Sequence, residues 1–165
     1  MKRIINILFA AVLLIGFATS CEVSKTGNQN VAVQIVAEWQ LTEMSTYVSL
    51  PAQVYVEFKE DGTFDIYQKV GDVARYSKLS GVYALTESIM TGEYNDGEEL
   101  GSAYRISFEA EGEVLVMTAV TLDEAGAVVD YIETLKYTKA SLPQEEKDDA
   151  NVITKSTDSE LFYIL

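Results

Sequence analysis

The chain has 165 residues, with 12 Lys and Arg against 26 Asp and Glu, a formal charge of −14, a single cysteine and no histidine. The missing imidazole removes Ser-His-Asp and Cys-His catalysis, histidine acid–base chemistry and the common zinc sites. The acidic field repels phosphate backbones and anionic bilayers, which sets nucleic acid aside as a partner.

Lys2 and Arg3 open the chain, an apolar run follows from Ile7 to Phe17, and Ala18, Thr19 and Ser20 lead into Cys21. At about 1.5 Å per residue the run falls short of a hydrocarbon core roughly 30 Å thick. It reads as a secretion signal over residues 1–20, not as a membrane span. Phe17-Ala18-Thr19-Ser20-Cys21 resembles the lipobox of bacterial lipoproteins, with Phe17 and Ala18 where a leucine is usual. That resemblance implies cleavage before Cys21 and a diacylglycerol on its thiol. As the only cysteine, Cys21 has no disulfide partner. Loss of Lys2 and Arg3 takes the mature chain of 145 residues to a formal charge of −16. That length suits one domain, held to the cell envelope by its lipid. The expected location is the outer membrane, with the leaflet left open.

Residues 21–30 are polar and aperiodic and read as a lipidated tether. Val31 to Ala37 is expected to make a short helical or irregular turn before a first strand containing Trp39, Leu41 and Met44. Val54, Val56 and Phe58 alternate with polar neighbours, Glu60-Asp61-Gly62-Thr63 turns, and Phe64 and Ile66 alternate on the return. Arg75 to Leu85 reads as a fourth strand with Gly81 at a bend. Ser88 to Tyr94 is a short fifth strand ended by Asn95-Asp96-Gly97, and Tyr104, Ile106 and Phe108 alternate in a sixth. Val114 to Leu122, apolar on both faces, and Tyr131 to Lys139 complete the set. Short connections imply antiparallel neighbours. About eight such strands close an up-and-down barrel, an open sandwich being the competing arrangement. This all-β domain is expected over residues 31–141. The remainder, 142–165, reads as a short helix capped by Ser141 and Gln144, with a tail ending Leu161 to Leu165 packed on the barrel or added as a strand.

The order of these pieces resembles the lipocalin-like domain lipoproteins common in Bacteroidota. The matching features are Glu38-Trp39-Gln40-Leu41, Val56-Glu57-Phe58, Asp61-Gly62-Thr63-Phe64, Gly81-Val82-Tyr83, Thr91-Gly92-Glu93-Tyr94, Leu115-Val116-Met117-Thr118 and Tyr131 to Lys139. Ala37 stands where that family usually has the glycine of Gly-x-Trp. The resemblance implies a calyx for a small apolar or amphipathic molecule.

The residues expected to face such a ligand are Phe58, Phe64, Ile66, Tyr104, Ile106, Phe108, Met117 and Leu135, with Val54, Val56 and Leu115 beside them. Each is also an ordinary core position, because eight strands enclose little more than their own side chains. Eight of the ten tyrosines fall on or beside the strands, and a phenol suits amphipathic ligands as well as half-exposed sheet faces. Trp39 is expected to plug one end. Alternation puts Glu133 on one face with Tyr131, Leu135 and Tyr137; it is buried if that face is inward, and surface if Ile132 and Thr134 face inward instead. The acidic turns at Asp61 to Asp65 and Asn95 to Glu99 lack the ligand spacing of a calcium loop. Neither catalytic residues nor a cofactor or metal is expected. The competing reading is a solid barrel that binds a protein or glycan through its outer surface.

Overall fold

The computed structural model describes residues 26–47, 49–50, 52–157 and 165. The signal over 1–20, Cys21 and most of the tail after Thr157 lie outside the described residues. Helix α1 (Thr26–Ile35) leads into eight strands: β1 (Glu38–Met44), β2 (Ala52–Phe58), β3 (Thr63–Val70), β4 (Ser77–Thr86), β5 (Ile89–Tyr94), β6 (Ala103–Glu109), β7 (Val114–Leu122) and β8 (Val128–Lys139). Each pairs antiparallel with its sequence neighbours, and β8 pairs with β1, so the sheet closes into the expected up-and-down barrel. Closure pairs the first strand with the last, so neither is left as an outer edge.

The period-two pattern produces the core. Val54, Val56 and Phe58 of β2, and Phe64 and Ile66 of β3, are all at most 1 % exposed. Gly62 sits in the connecting turn at φ +81°, a backbone state that favours glycine. Gly81 has a different reason. A Cβ there would lie 2.2 Å from the Glu93 carbonyl and 2.5 Å from the Phe64 ring, so only glycine lets these strands approach.

Three sequence expectations need correction. Residues 21–30 do not all form a tether, because α1 begins at Thr26. Its last turn is held by tertiary contact: Ile35 is fully buried, and Trp39 donates from Nε1 to the Ile35 carbonyl at 2.8 Å. Trp39 thus sits beneath α1, which covers that end of the barrel. At the other terminus, α2 (Gln144–Asp148) is capped not by Ser141 but from Pro143, whose carbonyl accepts from Glu146 and Lys147. Proline supplies a φ of −53° but no side-chain acceptor, so the capping box does not form. Finally, Tyr131 does not share a face with Glu133, Leu135 and Tyr137. The register shifts between Ala119–Glu133 and Val120–Tyr131, leaving Ile132 as an extra residue that reverses the alternation.

The C-terminal segment docks outside the barrel. Leu142 packs with Tyr67 and Tyr76 in a second apolar cluster, and Lys147 reaches both Glu38 and Glu57. Strand β9 (Asn151–Val152) then pairs in parallel with Ser77 and Lys78 of β4. It occupies a stretch of β4 that β5 does not reach, since β5 pairing starts at Gly81.

Candidate functional site

Alternation and closure bring the eight predicted ligand residues together. Phe58, Phe64, Ile66, Tyr104, Ile106, Met117 and Leu135 are buried in one core cluster, at most 4 % exposed, and Phe108 packs against it half-buried. They fill the interior as a core does, with Trp39 and Phe108 rings 6.0 Å apart and Phe58 edge-on to Tyr83 at 5.2 Å.

The wall is not uniform. Strands β5 and β6 pair only at Ile89–Arg105 and Met90–Tyr104. Beyond that, the segment leading into β6 runs beside β5, with Leu100 N–H donating to the Gly92 carbonyl and Tyr94 N–H to that of Glu98. Where β6 leaves β5 the surface opens into a groove of about 710 Å³. One side is Val82, Tyr83 and Ala84 of β4, the floor includes Gly92 and Leu100, and the far side is Val120, Leu122 and Ile132. Its size falls within the usual range for small-molecule sites. None of the eight predicted residues lines it, nor a cleft of about 690 Å³ beside α2, nor one of about 90 Å³ beside β9. The signals for it in the sequence were faint: Gly92 within a strand, and a β7 run apolar on both faces.

The tyrosines divide by location. Tyr67 and Tyr76 lie outside under the C-terminal segment, where burial, with Tyr55 and Glu146 nearby, pushes Tyr76 up to about 12. Tyr131 lies on the outer wall, bonded to Arg105. Tyr94, Tyr104 and Tyr137 face inward, at most 4 % exposed. Burial, reinforced by the Glu133 charge, raises Tyr104, and burial raises Tyr137 well above the ordinary phenol value. Glu133 itself is half-buried and accepts from the Thr46 hydroxyl.

On the outer face, Asp65 is 5 % exposed and bonded to Lys59, Lys78 and Ser80. Burial alone would raise its carboxyl, but bonds from Lys59, Ser80 and Lys78 outweigh that and hold it below the ordinary value. Asp61 and Asp96 accept from the amides of Thr63 and Glu98 two residues on, which is turn chemistry, and Asp96 also accepts from the Ser156 amide of the C-terminal segment.

A closed antiparallel barrel of eight strands with one end covered by a helix defines a class of calyx-like domains. The chain belongs to the lipocalin-like domain family, whose model matches residues 35–117. The match ends within β7, so the closing strand β8 lies beyond it. Comparison with curated proteins gives no match.

Proposed function

We propose that this protein is a non-catalytic, lipid-anchored lipoprotein of the bacterial cell envelope, of the kind found in Bacteroidota, that binds a small apolar or amphipathic molecule. The observation that carries the binding reading is the 710 Å³ groove at the β5–β6 seam, which offers Val82, Ala84, Leu100, Val120, Leu122 and Ile132 in a family built on barrels. The ligand's apolar body lies in this groove. Phe58, Phe64, Ile66, Ile106, Phe108, Met117 and Leu135 form the packed base behind it. Anchoring is supported by the small-residue stretch ending at Cys21.

Two experiments test the proposal. Native mass spectrometry of protein purified from its own host should show a retained small molecule, and Ile132→Glu should remove it while the barrel stays folded. If no molecule is retained and no fatty acid, bile acid or aromatic dye binds, the ligand reading fails. Cys21→Ser should leave the domain folded but release it from the membrane fraction; unchanged partitioning would sink the lipid assignment.

A second reading has its own observation. Val129, Tyr131 and Ile132 on β8 are each more than half exposed beside the groove, as an interaction surface for a protein or glycan would be. This surface is the place to look if no small molecule binds.

A further inference from the structure

The groove at the β5–β6 seam carries charge of one sign. Its charged lining residues are Glu93 and Glu99, with neither Lys nor Arg among them. Glu93 stands on β5 and Glu99 on the segment leading into β6, and an antiparallel bridge sets them directly opposite each other. Tyr94 N–H donates to the Glu98 carbonyl at 2.8 Å and Leu100 N–H to the Gly92 carbonyl at 3.1 Å, so the backbone bonds flank the pair. In that arrangement the opposed Cα atoms lie about 4.5 Å apart and the side chains leave the sheet together, on one side. On its other flank Glu93 stands opposite Val82, so Val82, Glu93 and Glu99 form one row across the near side of the groove.

Like charges placed directly opposite destabilise a sheet. Among the described residues no salt bridge reaches either carboxylate. Lys155 of the C-terminal segment donates to the Glu99 backbone carbonyl at 2.7 Å and lies over the Tyr94 ring at 4.7 Å, so its ammonium is engaged by the backbone and the ring. Both glutamates are exposed, at the rim where a ligand arrives from water. Across from them stand Val120, Leu122 and Ile132. The groove therefore sets an apolar wall against two unmatched negative charges.

Resting on the groove reading, we infer that the Glu93–Glu99 pair receives the ammonium head of a cationic amphiphile whose hydrocarbon body lies on Val120, Leu122 and Ile132. A primary ammonium carries three donors, enough to bond both carboxylates at once, and hydrogen bonds between ionised partners are the strong kind. Its charge also relieves the repulsion between Glu93 and Glu99. A fatty acid or a phosphate ester would meet the same two charges with no cation lining the groove, on a chain of formal charge −14. A bare calcium ion is a poorer match, because it takes about six to eight oxygen ligands and the pair supplies only its carboxylates.

The test compares decylammonium, 1-decanol and decanoate by isothermal titration at pH 7.5 and low salt, with the parent chain, Glu93→Gln, Glu99→Gln, the double variant and Glu60→Gln. Glu60 is an exposed carboxylate in the β2–β3 turn, outside the groove, and controls for the charge removed. The parent should bind decylammonium about tenfold or more tighter than decanol, with decanoate weakest. Each groove variant should weaken decylammonium by about threefold or more, and the double variant should bring it level with decanol. Glu60→Gln should leave the preference unchanged. The groove variants should melt at or above the parent's temperature, because the repulsion is relieved. Equal binding of decylammonium and decanol by the parent, a preference that survives in the double variant, an equal loss in Glu60→Gln, or a lowered melting temperature in both single variants overturns the ammonium seat and leaves the groove reading standing. Saturable calcium binding that the double variant loses would assign the carboxylates to a metal and overturn it likewise. Failure of every probe to bind the parent overturns both.

Discussion

The barrel's two sides hold together by different means. Beneath α1, Trp39 is tied to the Ile35 carbonyl, and two edge-on ring pairs, Phe58 with Tyr83 and Phe64 with Tyr94, lie in the core. At the β5–β6 seam, two residue pairs join the strands, and a connecting segment replaces the ladder. Among the described residues, the buried side-chain polar atoms without a hydrogen-bond partner belong to Gln68 and Tyr137. Cohesion concentrated at one end lets the other carry a groove without unfolding the domain. The interlocked end acts as the scaffold, and strand pairing thins where binding is proposed.

The largest test of this contrast is truncation at each site. Trp39→Ala should cost about 3–5 kcal/mol by urea denaturation, whereas Ile132→Ala in the groove wall should stay within about 0.5 kcal/mol. Equal losses would erase the distinction between scaffold and groove. Ile106→Trp sharpens it from inside. Ile106 is 2 % exposed in the packed interior, so the larger ring should overpack it and lower stability by about 1–3 kcal/mol. A variant as stable as the parent would mean that the interior has room for a ligand of its own. Gly62→Val, at the turn joining the two strands of the scaffold side, should cost about 1 kcal/mol or more through its positive φ.

The smallest effect at neutral pH is the ionisation of the buried tyrosines. Burial raises Tyr76, Tyr104 and Tyr137 in the folded state, so folding favours their neutral forms. That stabilisation is complete below the ordinary phenol value near 10 and is lost as pH rises toward each raised value, about 12 for Tyr76. Phenolate absorbance should therefore show an exposed class titrating near pH 10 and a buried class appearing only with unfolding. A single transition near 10 for all tyrosines would contradict the buried placement.

Much of the barrel was legible because alternation and turn chemistry are local. Val54 to Phe58, Gly62 and Phe64 to Ile66 announce a hairpin within a dozen residues, and the eight predicted positions follow from parity. What local pattern could not show depends on residues far apart in the chain. The seam arises because β6 abandons β5 after Met90–Tyr104, a matter of pairing with β7. Tyr131 seemed to share a face with Glu133 until one extra residue, Ile132, reversed the parity. Gln68 went unmarked because glutamine on a strand usually faces water. The first half of α1 reads as tether because Thr26 to Asn30 is polar and aperiodic, while the burial that secures the helix comes from Ile35, in the stretch expected as a helical or irregular turn.

Helix α1 also sets how the domain would be presented at a bilayer. Thr26 lies five residues after Cys21, a contour of at most about 18 Å. With a lipid on Cys21, that leash keeps the covered end close to the headgroups and gives the domain a preferred polarity. Strands β2 and β3 then carry the opposite rim, with the loops after β1 and β3, away from the membrane. The attachment would work as an orienting device, with α1 as its base, and whatever meets that far rim would arrive from the aqueous side.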